Sequence, residues 1–210
     1  MAKLTREAIV AAAFELLAEG GTAAITARAL ADRLGVRAGA LYYHLPDMTA
    51  LSDEMATVIM RELTIGEPGG GDWRDFLRDA AAHIRTVLLR YREGAKLFSG
   101  TYLTDDEAIG SMEVPLRVLT DAGFEVTEAL RSFQTLYGFV IGHVIEEQHR
   151  AATPERYSAA LRHRRIDADR FPLTAAVNEV FLSPPDAAFG WGVETIVAGI
   201  AARHEALPGV

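Results

Sequence analysis

The sequence predicts an all-α protein, with an N-terminal three-helix helix-turn-helix domain followed by a helical body, about ten helices in all. Three observations carry this. Apolar residues recur at three- and four-residue spacing through most of the chain, no stretch of useful length alternates apolar with polar, and the breaks hold capping residues, glycine or proline.

Taken in order, Thr5 caps a first helix over residues 5–19, with Ile9, Ala13, Leu16 and Leu17 on one face and Gly20-Gly21 ending it. Thr26 caps a short helix over 26–34, Gly35 turns the chain, and a second short helix spans 38–44 before Pro46. Asp47 or Thr49 starts a fourth helix to about 63. Gly66 to Gly71 is a break, and Asp72 with Asp75 opens a long helix to about 91. Shorter helices are expected over 95–101 and 113–122, the second closed by Gly123. A long one follows over 127–149, with Leu130, Phe133, Tyr137, Val140, Ile141 and Val144 along one stripe. Residues 151–170 carry Arg156, Arg162, Arg164, Arg165 and Arg170 with His163, interrupted by Asp167 and Asp169, and read as a solvated loop. Pro172 suits the first turn of a helix to 181, and Pro184-Pro185-Asp186 introduces a last one to 204.

With 210 residues, half of them apolar, the chain can bury a sizeable core. The absence of cysteine excludes a disulfide framework, a thiolate metal site and redox sensing through a thiol. The first residues lack the apolar segment of a secretory signal, and polar residues interrupt every candidate span, so the expected setting is cytoplasmic with no membrane partner. A net charge of -8 seems to oppose nucleic-acid binding. Yet residues 1–50 hold five bases (Lys3, Arg6, Arg28, Arg33, Arg37) against five acids (Glu7, Glu15, Glu19, Asp32, Asp47), so the acidity belongs to the remainder. The aromatics divide similarly: only Phe14, Tyr42 and Tyr43 lie in that first segment.

The strongest motif is Thr26 to His44. Leu30, Leu34, Val36 and Leu41 supply a small shared core, Ala31 is small where two helices approach, and Gly35 permits the positive φ of the turn. A plain α-hairpin accounts for the apolar positions. It does not account for Ala31-x-x-x-Gly35 together with exposed Tyr42, Tyr43 and His44, which suit a DNA-reading helix. Catalysis finds no support: the glycine run lacks the Lys-Ser/Thr of a phosphate loop, His83 and His149 have no metal spacing, and no serine sits in a nucleophile elbow. The chain is read as a non-enzyme without cofactor or metal.

The spread of motifs resembles TetR-family transcriptional regulators, and within them the tetracycline-repressor subgroup, along nearly the whole length. Leu34-Gly35-Val36 and Leu41-Tyr42-x-His44 carry it in the head. Trp73-x-Asp75-Phe76-Leu77-Arg78, Gly94-Ala95-Lys96, Gly100-Thr101 and Val144-x-Glu146-x-Gln148 carry it beyond. The resemblance implies a DNA-binding domain over 1–46, a ligand-binding and dimerisation domain over 47–210, and a homodimer on a palindromic double-stranded operator, released by a small molecule. The rival reading is a helical small-molecule binder that has lost its DNA.

Carried over by position, the DNA-contacting residues are Thr26, Arg28, Arg37, Ala38, Gly39, Ala40, Tyr42, Tyr43 and His44. Arg28 or Arg37 is the best candidate for a guanine contact, and Ala38 and Ala40 for thymine methyls. Met48 replaces a phosphate-anchoring lysine, leaving Lys3, Arg6 and the helix start near Asp47 for the backbone, and a modest salt slope is expected. The pocket positions are Leu63, Ile84, Phe98, Thr101, Tyr102, Met112, Leu116, Phe133 and Tyr137, a set that suits a hydrophobic or aromatic effector. Phe98 stands where that subgroup has a metal-ligating histidine, Leu63 and Ala80 stand at positions that hold the drug's polar edge, and Pro115 at a glutamine position. Glu146 is kept and His143 lies one turn before it, but magnesium-tetracycline is not expected to be the inducer. Dimerisation is assigned to the helices over 127–149 and 186–204, through Gly138, Gly142, Gly190 and Gly199 beside Phe139, Val193, Ile196, Val197 and Ile200.

Overall fold

The computed structural model describes residues 4–66, 70–100, 106, 110–181 and 183–206. Among these are twelve α-helices, two short 3-10 turns and no strand. The head comprises α1 (Arg6–Gly20), α2 (Ala27–Leu34) and α3 (Ala38–Leu41), and α4 (Met48–Leu63) leads out of it. The body holds α5 (Trp73–Leu89), α6 (Gly94–Phe98), α7 (Glu113–Asp121), α8 (Val126–Ala152), α9 (Ala159–Arg165), α10 (Pro172–Ala176), α11 (Asn178–Phe181) and α12 (Pro185–Ala206).

Several helices begin where a side chain accepts from a free backbone N–H. Thr5 Oγ1 accepts from Ala8 at 3.2 Å, Thr26 Oγ1 from Ala29 at 3.1 Å, and Asp47 Oδ1 from Ala50 at 2.8 Å. The third helix is shorter than expected. Regular helix ends at Leu41, and Tyr42, Tyr43 and His44 form a turn in which His44 N donates to Leu41 O at 2.9 Å. Pro46 is the cause, because it steers Leu45 away from the α region and has no N–H to continue the ladder.

Two expectations beyond residue 150 are corrected. The Arg-rich stretch contains a 3-10 turn, Pro154–Tyr157, and the helix α9, started by Ser158 Oγ accepting from Leu161 N at 3.2 Å. Its charges are not all solvated: the Arg162 guanidinium lies 3.8 Å over the Phe181 ring and its Nε donates to Asn178 Oδ1 at 2.8 Å. The helix begun by Pro172 is split at Val177, where the buried Asn178 directs its amide to Arg162 and to His163 Nδ1. These two changes turn ten expected helices into twelve.

The body is organised around α8, which packs against α5, α7 and α12. Ala129, Leu136, Val140 and Val144 are completely buried along it, a period only helix packing makes contiguous. Three arginines of α5 strap the last helix down. Arg74 meets Glu205 at 3.3 Å, Arg78 forks onto Glu194 at 2.7 and 2.9 Å, and Arg85 bonds both Glu147 of α8 and Asp186 of α12. At the other end His204 stacks on Phe124, centroids 3.8 Å apart, and its Nδ1 lies 3.6 Å from Glu128.

The apolar residues assigned to a dimer interface mostly face inward. Val193, Val197 and Ile200 are buried within the protomer, and Phe139 packs against Phe189 and over Gly192, where a Cβ would overlap its ring. Ile196 is only partly buried and lines a surface groove between α8 and α12. Gly138, Gly142, Gly190 and Gly199 are exposed, with nothing within 4 Å of an added Cβ. Most hydrophobic positions of the two helices are thus spent on the protomer's own core, and their outward faces are mainly small and polar, with Trp191 of α12 as a large exposed apolar exception.

Candidate functional site

In the head, Leu30 and Ala31 are buried against α1 and α3, Gly35 is left-handed (φ 65°), and Val36 N donates back to Ala31 O at 3.0 Å. That turn sets α3 across α2 and brings the expected reading residues to one exposed edge. Ala38, Gly39, Tyr42 and Tyr43 are exposed, while Ala40 and His44 are half-buried. Arg37 stands exposed at the start of α3 and makes no cap bond. Arg28 projects almost wholly into solvent, with Asp32 at 4.0 Å as its ion-pair partner. Thr26 is first of all a cap.

Other head charges are engaged within the protein. Arg33 bridges Glu15 and Glu19 at 2.9 and 2.6 Å, tying α2 to α1. Arg6, expected to reach for phosphate, instead donates to Glu54 at 3.0 Å and to His44 O at 3.1 Å. The α4 start likewise has its Ala50 N–H taken by Asp47, so that donor is not open to a phosphate. Lys3 lies outside the described residues. Arg28 and Arg37 are therefore the cations best placed on the reading edge.

A cavity of about 380 Å³ lies between α4, α5, α6, α7 and α8. Six expected residues line it: Leu63 from α4, Ile84 from α5, Phe98 from α6, Met112 just before α7, and Phe133 and Tyr137 from α8. Thr101 and Tyr102 lie outside the described residues. Leu116 does not line it, although it lies one turn after Met112, which does; Ser111 and Met112, just before α7, and Pro115 in its first turn form that wall. Met60, Ile65, Ser111, Pro115 and Gln134 also line it. The signal for Met60 was its position one turn before Leu63 on the same helix face.

None of the described lining residues carries a formal charge. Glu146 is exposed and does not reach the cavity, and His143 approaches Glu147 instead, at 3.9 Å. Burial holds the His143 imidazole below its ordinary pKa, against the pull of Glu147. Among the described residues no group of three or more His, Asp or Glu side chains is arranged to hold a metal ion. Phe98 and Tyr137 also border a more open groove of about 530 Å³, floored by Gly138, Ile141 and Gly142.

Cavity and head are joined through one short helix. Phe98 at the end of α6 forms cavity wall, and Glu93, immediately before α6, sends its carboxylate to the head, accepting from Thr22 N at 3.1 Å and Thr22 Oγ1 at 2.6 Å. Arg92 donates to Glu19 O at 2.8 Å, and Tyr91 packs on Phe14 and donates to Glu62 of α4 at 2.5 Å. Gln148 of α8 holds the same corner by donating to Leu88 O and Tyr91 O and accepting from Ala95 N.

A helix-turn-helix head fixed to a helical body with an internal apolar cavity defines the class of one-chain bacterial regulators. Residues 9–55 match the family model "Bacterial regulatory proteins, tetR family", and 65–204 match "Tetracyclin repressor-like, C-terminal domain". The chain belongs to the TetR family. It is 35% identical over 211 residues to the tetracycline repressor protein class D of Escherichia coli, covering 99% of this chain and 94% of that protein. Among solved structures, a possible TetR-family regulator from Streptomyces coelicolor A3(2) superposes with TM-score 0.84 at 32% identity, over 94% of this chain and 98% of the other. A TetR variant from Acinetobacter baumannii AYE in complex with minocycline superposes at 0.78 with 31% identity, over 98% and 97%.

Proposed function

We propose that this protein is a ligand-released transcriptional repressor, with residues 1–46 as DNA-binding domain and 47–210 as ligand-binding and dimerisation domain. The carrying observation is the shared helix α6, with one end in the cavity wall at Phe98 and the other holding the head through Glu93. A molecule that displaces Phe98 moves Glu93 with it, because five residues of helix transmit a shift as a rigid unit. A homodimer sets two heads about one helical turn of DNA apart, roughly 34 Å, so the operator is a palindrome. The groove beside Ile196 and the exposed glycines of α8 and α12 support that assembly. Arg28 and Arg37 contact bases; Thr26, Ala38, Gly39, Ala40, Tyr42, Tyr43 and His44 complete the DNA surface.

The effector is hydrophobic or aromatic, since the cavity is apolar and of a volume that suits a small ring system. Magnesium-tetracycline is not that effector, because Phe98 offers no metal ligand and Glu146 does not line the cavity of its own chain. No helix among the described residues is long and apolar enough to cross a membrane, which agrees with a cytoplasmic regulator. The test is a mobility-shift assay on DNA from upstream of the protein's own gene. A shift by dimeric protein, reversed by a ring compound that also raises the melting temperature, is expected; the absence of any specific shift would favour a ligand binder that has lost its DNA.

A further inference from the structure

The cavity contains a phenol with nothing to bond. Tyr137 projects from α8 between the rings of Phe98, 6.4 Å away and edge-on, and Phe133, 6.5 Å away and nearly parallel. Its hydroxyl makes no hydrogen bond among the described residues, and burial alone raises its pKa, so it stays protonated and able to donate. The neighbouring Tyr91, by contrast, donates its hydroxyl to Glu62. Partly buried in a largely apolar cavity with its donor unused, the hydroxyl is available to a guest that supplies an acceptor.

Resting on the effector reading above, we infer that the cavity selects an uncharged ring molecule bearing a carbonyl or phenolic oxygen, and that Tyr137 sets this choice by donating its hydroxyl hydrogen to that oxygen. The geometry restricts the guest in two ways. Three aromatic rings, Phe98, Phe133 and Tyr137, line the cavity together and favour a ring over a branched chain. Among the described residues no lysine or arginine lines the cavity, so a carboxylate or phosphate on the guest would be buried without a counter-ion from them. A plain hydrocarbon fits the walls but leaves the phenol unpaired. Gln134, the other amide or hydroxyl donor on the same helix face, is exposed and cannot discriminate by desolvation.

Three probes of nearly one shape separate these cases: 9-fluorenone, fluorene and fluorene-9-carboxylate, titrated into the full-length protein by calorimetry. Fluorenone is expected to bind about tenfold more tightly than fluorene, the worth of one buried hydrogen bond, and the carboxylate not to bind measurably. In Tyr137→Phe, which keeps the ring, fluorenone should lose about tenfold and fluorene should be unchanged; the unchanged fluorene affinity also shows the variant's cavity is intact. If Tyr137→Phe does not fold, the wild-type ratio of fluorenone to fluorene still decides. Equal binding of fluorenone and fluorene, an unaltered ratio in the variant, or tight carboxylate binding overturns the inference while leaving the cavity as effector site. If none of the three binds, the cavity reading itself fails and this inference with it.

Discussion

Glu93 and Thr22 meet across the junction of head and body, and Glu93 is the only non-glycine residue with positive φ (52°) among the described residues. Opposite it Gly21 also has a positive φ (72°), and a Cβ there would overlap the Glu93 carboxylate. A glutamate at this φ costs backbone energy, and the doubly hydrogen-bonded carboxylate offsets it. The body thereby holds the exit of α1, next to the helix-turn-helix.

Glu93→Gln should loosen that hold. The amide retains a weak acceptor but not the charge-assisted pair of bonds, so exchange of backbone amides around Thr22 is expected to quicken severalfold while α8 amides are unchanged. Equal slowing or quickening across both regions would show that the contact does not act locally.

The same contact predicts a pH dependence. The Thr22 hydroxyl and then its N–H hold the Glu93 carboxyl below its ordinary 4.5, against desolvation. A carboxyl depressed in the folded state contributes fully above its unfolded value, and that contribution disappears as pH falls through the folded value. The Thr22 amide resonance should therefore titrate with a midpoint below 4.5. A midpoint at or above 4.5 would contradict the geometry.

Gly35→Ala probes the turn. Nothing lies within 4 Å of the added Cβ, so the cost comes only from the left-handed backbone, about 1–2 kcal/mol. Gly35→Asn should cost less, because asparagine tolerates that region, and urea denaturation would rank the pair.

Arg85→Ala removes the cation shared by Glu147 and Asp186, where the Arg85 and Glu147 side chains are both nearly buried. It leaves Glu147 without its bidentate partner, and a loss of about 3 kcal/mol in unfolding free energy is expected. Arg85→Ala with Glu147→Leu should recover part of it; no recovery would mean the pair is not the source.

Arg37→Ala should weaken operator binding by roughly 1–3 kcal/mol per half-site if the guanidinium reads a guanine, and should relax preference at one base position. A uniform loss across operator variants, with a shallower salt slope, would instead assign Arg37 to phosphate.

Much of the head was legible because its determinants are local. Thr5, Thr26 and Asp47 cap within three residues of themselves, and Gly35 announces its own φ. Six cavity residues are legible only through the resemblance, which carries pocket positions over from the family; helical spacing alone does not tell a pocket stripe from a core stripe. The helix α9 was missed because its stability comes from Arg162 against Phe181 and Asn178, partners sixteen or more positions away that composition does not show. The same distance hid the engagement of Arg6 by Glu54.

Sequence alone determined that the chain is helical, where most helices start, that its acidity lies outside the head, and that no thiol is present. These follow from periodicity, capping chemistry and composition, which act over a few residues or none. Only the tertiary structure decided that Val193, Val197 and Ile200 serve the protomer's own core, that Glu146 faces water, that Tyr137 is left unbonded in a cavity, and that Glu93 reaches Thr22. Each depends on which face of a helix meets which neighbour, and that is settled by packing between segments far apart in the chain.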